Sequence, residues 1–237
     1  MLRAVVAAVF LFTLTPAVAD DQPMNRTDVE AIIEDYLTRN PEIVIRALEA
    51  WERLREEREA EAAIQAIARF DADIHHDPDT PWGGDPDGEI VIVEFFDYRC
   101  GYCRMSAPGL FAVRDAVPGA KVIYKEFPIL GEDSLRAAKA ALAARKQGLY
   151  EAYHQVLMLE GEDYSEAGLM ALAQSVGLDT GRLSADMKDP AIEAYLERTH
   201  QLASAIGING TPAFIINGEL YPGAIRPGDF EIILGIE

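Results

Sequence analysis

Cys100 and Cys103 are the only cysteines of the 237-residue chain, and they stand three apart in the run Cys100-Gly101-Tyr102-Cys103. At that spacing one thiolate can attack a disulfide while its neighbour resolves the mixed intermediate. Cys100 suits the attacking role if a helix begins under it, because unpaired N–H groups and the helix dipole favour thiolate over thiol. Cys103, one turn further in, is then the resolving thiol. Three other uses compete. A structural zinc site needs four ligands, and His75, His76, His154 and His200 are scattered. A permanent disulfide across so small a loop restricts the unfolded chain little. A copper module would combine Cys100 and Cys103 with a methionine such as Met105. A small disulfide-stapled secreted scaffold would carry more than two cysteines.

Glu89 to Phe96 reads as a buried strand, with Ile90, Val91, Ile92, Val93, Phe95 and Phe96 interrupted only by Glu94. It runs straight into the cysteines. A helix follows to about Val117, with Pro108 expected to kink it, and Lys121 to Phe127 forms a second strand. Residues 133–206 read as successive helices marked by Gly148, Ser165 and Asp189-Pro190. Ala213 to Ile216, the Asn217-Gly218 turn and Glu219 to Tyr221 read as a hairpin, and Asp229 to Leu234 as a short closing helix. This order predicts an α/β fold, a mixed sheet flanked by helices with a helical block inserted between its halves.

Arg3, the apolar run Ala4 to Leu14 and Ala17-Val18-Ala19 form a secretory signal pattern, with cleavage expected after Ala19. The run is too short to span a bilayer, and no later stretch approaches the roughly 20 apolar residues required. Residues 20–75 read as helical. Thr27 to Glu30 resembles a capped start, Asn40 and Pro41 open a second helix, and that helix runs to about Phe70, a rod on the order of 45 Å. Val44, Leu48 and Trp51 share a face, Glu52 to Glu61 is charged, and Ile64, Ile67 and Phe70 resume the stripe. The stripe serves either packing on the chain's own catalytic domain or association of identical rods. Residues 76–88, rich in Asp, Pro and Gly, read as a linker, leaving 89–237 as the catalytic domain.

The formal charge is −19, and loss of the signal removes one base and no acid. Such a chain repels nucleic acid and anionic lipid.

Val93-Glu94-Phe95-Phe96-Asp97-Tyr98-Arg99-Cys100-Gly101-Tyr102-Cys103 and Gly210-Thr211-Pro212-Ala213-Phe214 make residues 89–237 resemble the DsbA branch of the thioredoxin superfamily. The resemblance implies a thioredoxin-like fold, a cis Pro212 beside the active-site disulfide and a Thr211 that contacts substrate backbone. It also places the family's buried acid at Glu94. Glu94 is then either a buried acid with a raised pKa that relays the proton of Cys103, or an edge residue whose carboxylate reaches water. Strongly oxidising members carry Pro-His between the cysteines, whereas Gly101-Tyr102 supplies no cation and, with Thr211, is similar to the disulfide isomerases. The helical extension resembles the oligomerisation stalks of the suppressor-of-copper-sensitivity (ScsC) proteins.

The expectation is a periplasmic thiol–disulfide oxidoreductase without cofactor or metal, homo-oligomeric through residues 20–75. It would isomerise or reduce disulfides of unfolded or misdisulfided exported proteins and be reset by a redox partner. The alternatives are a monomeric dithiol oxidase, and a copper-binding or chaperone protein using the same thiols.

Overall fold

The computed structural model describes residues 24–236. The expected signal at residues 1–19, and residues 20–23, lie outside that span. The chain falls into two compact units, one up to Arg53 and one from Leu54 onward.

The first unit contains α1 (Arg26–Arg39) and the opening of α2 (Glu42–Arg69). Helix α1 is capped by Asn25, two residues before the expected Thr27. The Asn25 side chain accepts from the Asp28 N–H at 3.1 Å and the Asp28 carboxylate accepts from the Asn25 N–H, so two orphan donors are satisfied reciprocally. Asn40 closes α1 rather than capping α2: its side-chain amide donates to Tyr36 O at 2.8 Å. No residue of α1 is buried. Ile32, Ile33 and Tyr36, and on α2 Val44, Ile45, Leu48 and Trp51, are each 43% to 57% exposed.

The second unit is built on a five-stranded sheet of order β1-β3-β2-β4-β5. Strands β2 (Ile90–Phe96) and β3 (Ala120–Glu126) are parallel, joined by α4 (Gly101–Ala116). Strand β4 (Ala213–Ile216) runs antiparallel to β2, and β5 (Glu219–Pro222) closes a hairpin on it through Asn217 at φ 53° and Gly218 at φ 79°. Both positive angles are what a two-residue turn needs to match the strand twist. Between β3 and β4 lie α5 (Glu132–Ala144), α6 (Tyr150–Glu160), α7 (Glu166–Ser175), α8 (Thr180–Asp186) and α9 (Pro190–Ala205). Six alanines of α5 are buried, which suits a helix packed against α6, α8 and α9 at close range. Helix α10 (Asp229–Leu234) closes the chain against α4.

The expected linker at 76–88 contributes a short strand to the sheet. Strand β1 (Trp82–Gly84) pairs antiparallel with β3, Trp82 opposite Ile123. Gly84 sits at φ 89°, and a Cβ there would lie 2.4 Å from Ala120 O, so the strand end admits only glycine.

Each face of the sheet has its own core. Ile92, Phe96, Tyr124, Phe214 and Ile216 pack under α4 and the inserted helices. Val93, Phe95, Ile123 and Ile215 pack against Ile206 of the α9 end, Ile67 of α2 and Ile74 of α3 (Asp71–His75). The boundary expected after residue 75 therefore crosses a continuous core, because Ile67 and Ile74 are 3% and 0% exposed. Lys125 seals this face: its buried ammonium donates to Asp73 O at 2.6 Å and Thr80 Oγ1 at 2.8 Å. Burial draws its pKa down to about 8.

Candidate active site

The continuous apolar run of β2 buries the strand on both faces and ends it at Phe96, directly before the turn that starts α4. Cys100 is the N-cap of α4, with extended φ and ψ of −76° and 113°, and Cys103 lies one turn inside. The Cys100 N–H donates to Asp97 O at 3.0 Å, which fixes the turn between strand and helix. Helix α4 continues through Pro108 to Ala116.

Both cysteines are free thiols, Cys100 7% exposed and Cys103 fully buried. Their acidities move apart. The Cys100 thiol is pulled down to about 5, first by the hydrogen bond from Cys103, against the opposing effect of burial, and further by Thr211 and the backbone N–H groups of Cys103 and Tyr102. The Cys103 thiol is pushed far up by burial, by its bond to Cys100 and by the charge of Glu94.

Thr211 offers Cys100 two atoms. Its carbonyl accepts from the Cys100 thiol at 3.2 Å, and its side chain favours the thiolate once the proton has gone. The Thr211–Pro212 peptide is cis, and Pro212 is buried. The hairpin that carries this loop is thus laid against the N-terminus of α4 from a point 111 residues along the chain.

Glu94 points to the same sheet face as Phe96 and lies opposite Tyr124 and Phe214 in the ladder. It is 1% exposed, and neither carboxyl oxygen has a hydrogen-bond partner. Burial, and then the charge on Cys100, push its pKa up to about 8. Of the two settings open to Glu94 from sequence, this is the buried one.

Gly101 has no atom within 4 Å of its Cβ position, and Tyr102 is 67% exposed. Met105, also exposed, sits on the next turn.

Sequence reasoning missed two groups. Asp97 is buried, and its carboxylate accepts from the N–H groups of Arg99 (2.8 Å), Ile129 (2.8 Å) and Leu130 (2.9 Å), tying the loop after β3 to the active-site turn. Arg99 closes the same clamp by donating to Leu130 O. An Asp two residues before a backbone donor at a strand end is a local signal for such a turn. The second group has no local signal. Glu126 accepts from the hydroxyls of Tyr98 (2.9 Å) and Tyr150 (2.8 Å), and Tyr98 also meets His154 Nδ1 at 2.9 Å. Burial holds the imidazole neutral, with its pKa down to about 3.

A mixed sheet with a dithiol at the strand-to-helix junction and a cis-proline loop over the first sulfur defines a thioredoxin-fold dithiol protein. The chain belongs to the DSBA-like thioredoxin domain family, which it matches over residues 91–235, and residues 25–58 match the copper resistance protein ScsC N-terminal domain. A thioredoxin-like oxidoreductase from Silicibacter pomeroyi is 41% identical, covering 69% of this chain and 95% of that one, with a TM-score of 0.66. Proteus mirabilis ScsC in a transitional conformation is 30% identical over 88% of this chain and 94% of that one, with a TM-score of 0.67. Among curated proteins, a Na(+)/H(+) antiporter NhaA 3 of Salinispora tropica is 25% identical over 175 residues. That match covers 72% of this chain and 27% of the antiporter, so the chain spans about a quarter of such relatives. Among the described residues no helix is long and apolar enough to cross a membrane.

Proposed function

We propose that the chain is a periplasmic thiol–disulfide oxidoreductase that acts as a homo-oligomeric disulfide isomerase or reductase on exported proteins. Cys100 is the attacking thiolate, Cys103 the resolving thiol, and Glu94 the acid that takes and returns the Cys103 proton. Gly101 and Tyr102 leave the first sulfur accessible, and Thr211 and Pro212 orient the substrate backbone beside it. In the first step the Cys100 thiolate attacks a substrate disulfide, forming a mixed disulfide and releasing the other substrate sulfur as a thiolate. The released sulfur then attacks a different substrate disulfide, or Cys103 gives its proton to Glu94 and displaces the substrate, leaving the Cys100–Cys103 disulfide for a redox partner to reduce.

The observation that carries the isomerase reading is the row of exposed apolar side chains from Ile32 to Trp51 on helices that bury almost nothing. Helices of this kind are stabilised by packing an apolar face elsewhere. Several catalytic units on one assembly hold a misfolded chain at high local thiol concentration. Refolding of a scrambled disulfide substrate, measured beside solution mass, tests the proposal. A monomer that cannot unscramble the substrate overturns it.

A second reading, a monomeric dithiol oxidase, draws on the Cys100 thiol at about 5. A stabilised thiolate favours the reduced enzyme and so makes its disulfide more oxidising.

A further inference from the structure

A groove of about 990 Å³ lies between the last turns of α2 and the outer edge of β5. One wall is helical, with Ala60, Ala63 and a 49%-exposed Ile64; the other is Leu220 and Pro222 of β5. We infer that this groove seats an extended, basic and apolar stretch of the polypeptide whose disulfide is exchanged at Cys100, which rests on the function proposed above.

Three observations support that occupant. The first is the backbone of β5. This strand ends the sheet, pairing with β4 alone. The Gly223 N–H donates to Pro212 O at 2.9 Å, so by the alternation of an antiparallel ladder the N–H and C=O of Leu220 turn away from β4. Only an extended chain can pair with both, and in doing so it places alternate side chains against the helical wall.

The second is charge. Glu56, Glu59 and Glu219 line the groove, and no Lys or Arg is among its lining residues. Arg55 approaches Glu59 to 3.7 Å and leaves the acids in the majority. A basic segment is attracted. The chain's own N-terminal stretch, with the acidic pair Asp20 and Asp21, is not.

The third is continuity. Pro222 pairs with Ala213, the residue after Pro212, and Thr211 O is 3.2 Å from Cys100 Sγ. Strand β5 thus links the groove, through its pairing with β4, to the loop that meets the Cys100 sulfur.

The test is binding of a labelled, cysteine-free peptide of alternating valine and lysine to the full mature protein, read by fluorescence anisotropy. A valine and glutamate peptide of equal length is the control. The first peptide should bind and the control should not. Glu219→Lys should weaken binding at least fivefold and Ala63→Arg about tenfold, with circular dichroism and cooperative unfolding establishing that both variants fold. Equal binding of the two peptides, or affinity unchanged by both substitutions, overturns the proposal. So does an Ala63→Arg variant that changes solution mass but not peptide affinity, since the groove is then a seat between copies. A chain starting at Met24 that binds the peptide fivefold more tightly also overturns it, because the groove then holds the chain's own N-terminus. The probe has no cysteine, so its binding is independent of whether Cys100 exchanges disulfides.

Discussion

Cys103 donates a hydrogen bond to Cys100, and that one contact lowers the pKa of the first sulfur while raising that of the second. The two thiols are therefore unequal before any substrate arrives. Cys103→Ala should accumulate mixed disulfides through Cys100 on non-reducing gels, whereas Cys100→Ala should accumulate at least tenfold fewer. Equal trapping by the two variants is the contrary result.

Reactivity should follow the thiolate. Cys100 sits at about 5 when folded, against 9.0 for an ordinary thiol. The depressed value means the reduced protein gains stability as pH rises from about 5 towards 9 and loses it as pH falls through about 5. The disulfide form has no thiolate and lacks that slope. Ultraviolet thiolate absorbance and the thermal midpoints of the reduced and oxidised forms check both halves. A midpoint of ionisation near 9 contradicts the assignment.

Glu94 has the opposite sign. Its folded value, about 8, lies above the ordinary 4.5. The neutral carboxyl costs no charge burial at pH 4.5 and below, and the penalty grows as pH rises to about 8. Glu94→Gln should therefore gain stability relative to the parent as pH climbs through that window, while resolution of the mixed disulfide slows about tenfold or more. A stability difference that stays flat with pH would mean the carboxyl is solvated.

Two glycines of α4 should respond differently to alanine. At Gly109 a Cβ would stand 2.8 Å from Pro227 Cα and 3.2 Å from the Phe230 ring, so Gly109→Ala should destabilise by about 1–3 kcal/mol in urea unfolding. At Gly101 nothing lies within 4 Å, and Gly101→Ala should be neutral or stabilise by up to about 1 kcal/mol through the unfolded chain.

Truncation separates assembly from folding. A mature chain starting at Leu54 keeps Ile67, Ile74 and the Asp73 carbonyl that Lys125 holds. It should fold as a monomer, gain dithiol oxidase activity and lose isomerase activity. A chain starting at His76 loses two buried isoleucines, each contributing about 1.5–3 kcal/mol, and should be far less stable. Light scattering and urea unfolding decide. An assembly that survives the first deletion sinks the stalk reading.

The elements that carry the cysteines were legible because their signals are local. The apolar run of β2, the spacing of Cys100 and Cys103, and Asn217-Gly218 each specify a backbone shape within a few residues. Strand β1 was not legible, since Trp82-Gly83-Gly84 has no alternation and becomes a strand only through β3. Lys125 and Glu126 were hidden for a related reason. A charged pair at the end of a strand reads as an exposed edge, yet here each is 1% exposed, stabilised by partners dozens of residues away. The dipeptide Gly101-Tyr102 suggested a weakly held thiolate for want of a cation, but N–H groups, Thr211 and Cys103 hold it instead.

Pro222 gives the free edge of the sheet a further meaning. Leu220 is the one residue of the β5 centre that turns an N–H outward, and the next outward position is a proline with no N–H to give. An edge with so few donors can hold one short visiting strand but cannot template a growing stack of them. Under the function proposed above, such an edge would meet aggregation-prone client sequences without becoming the seed of a fibre.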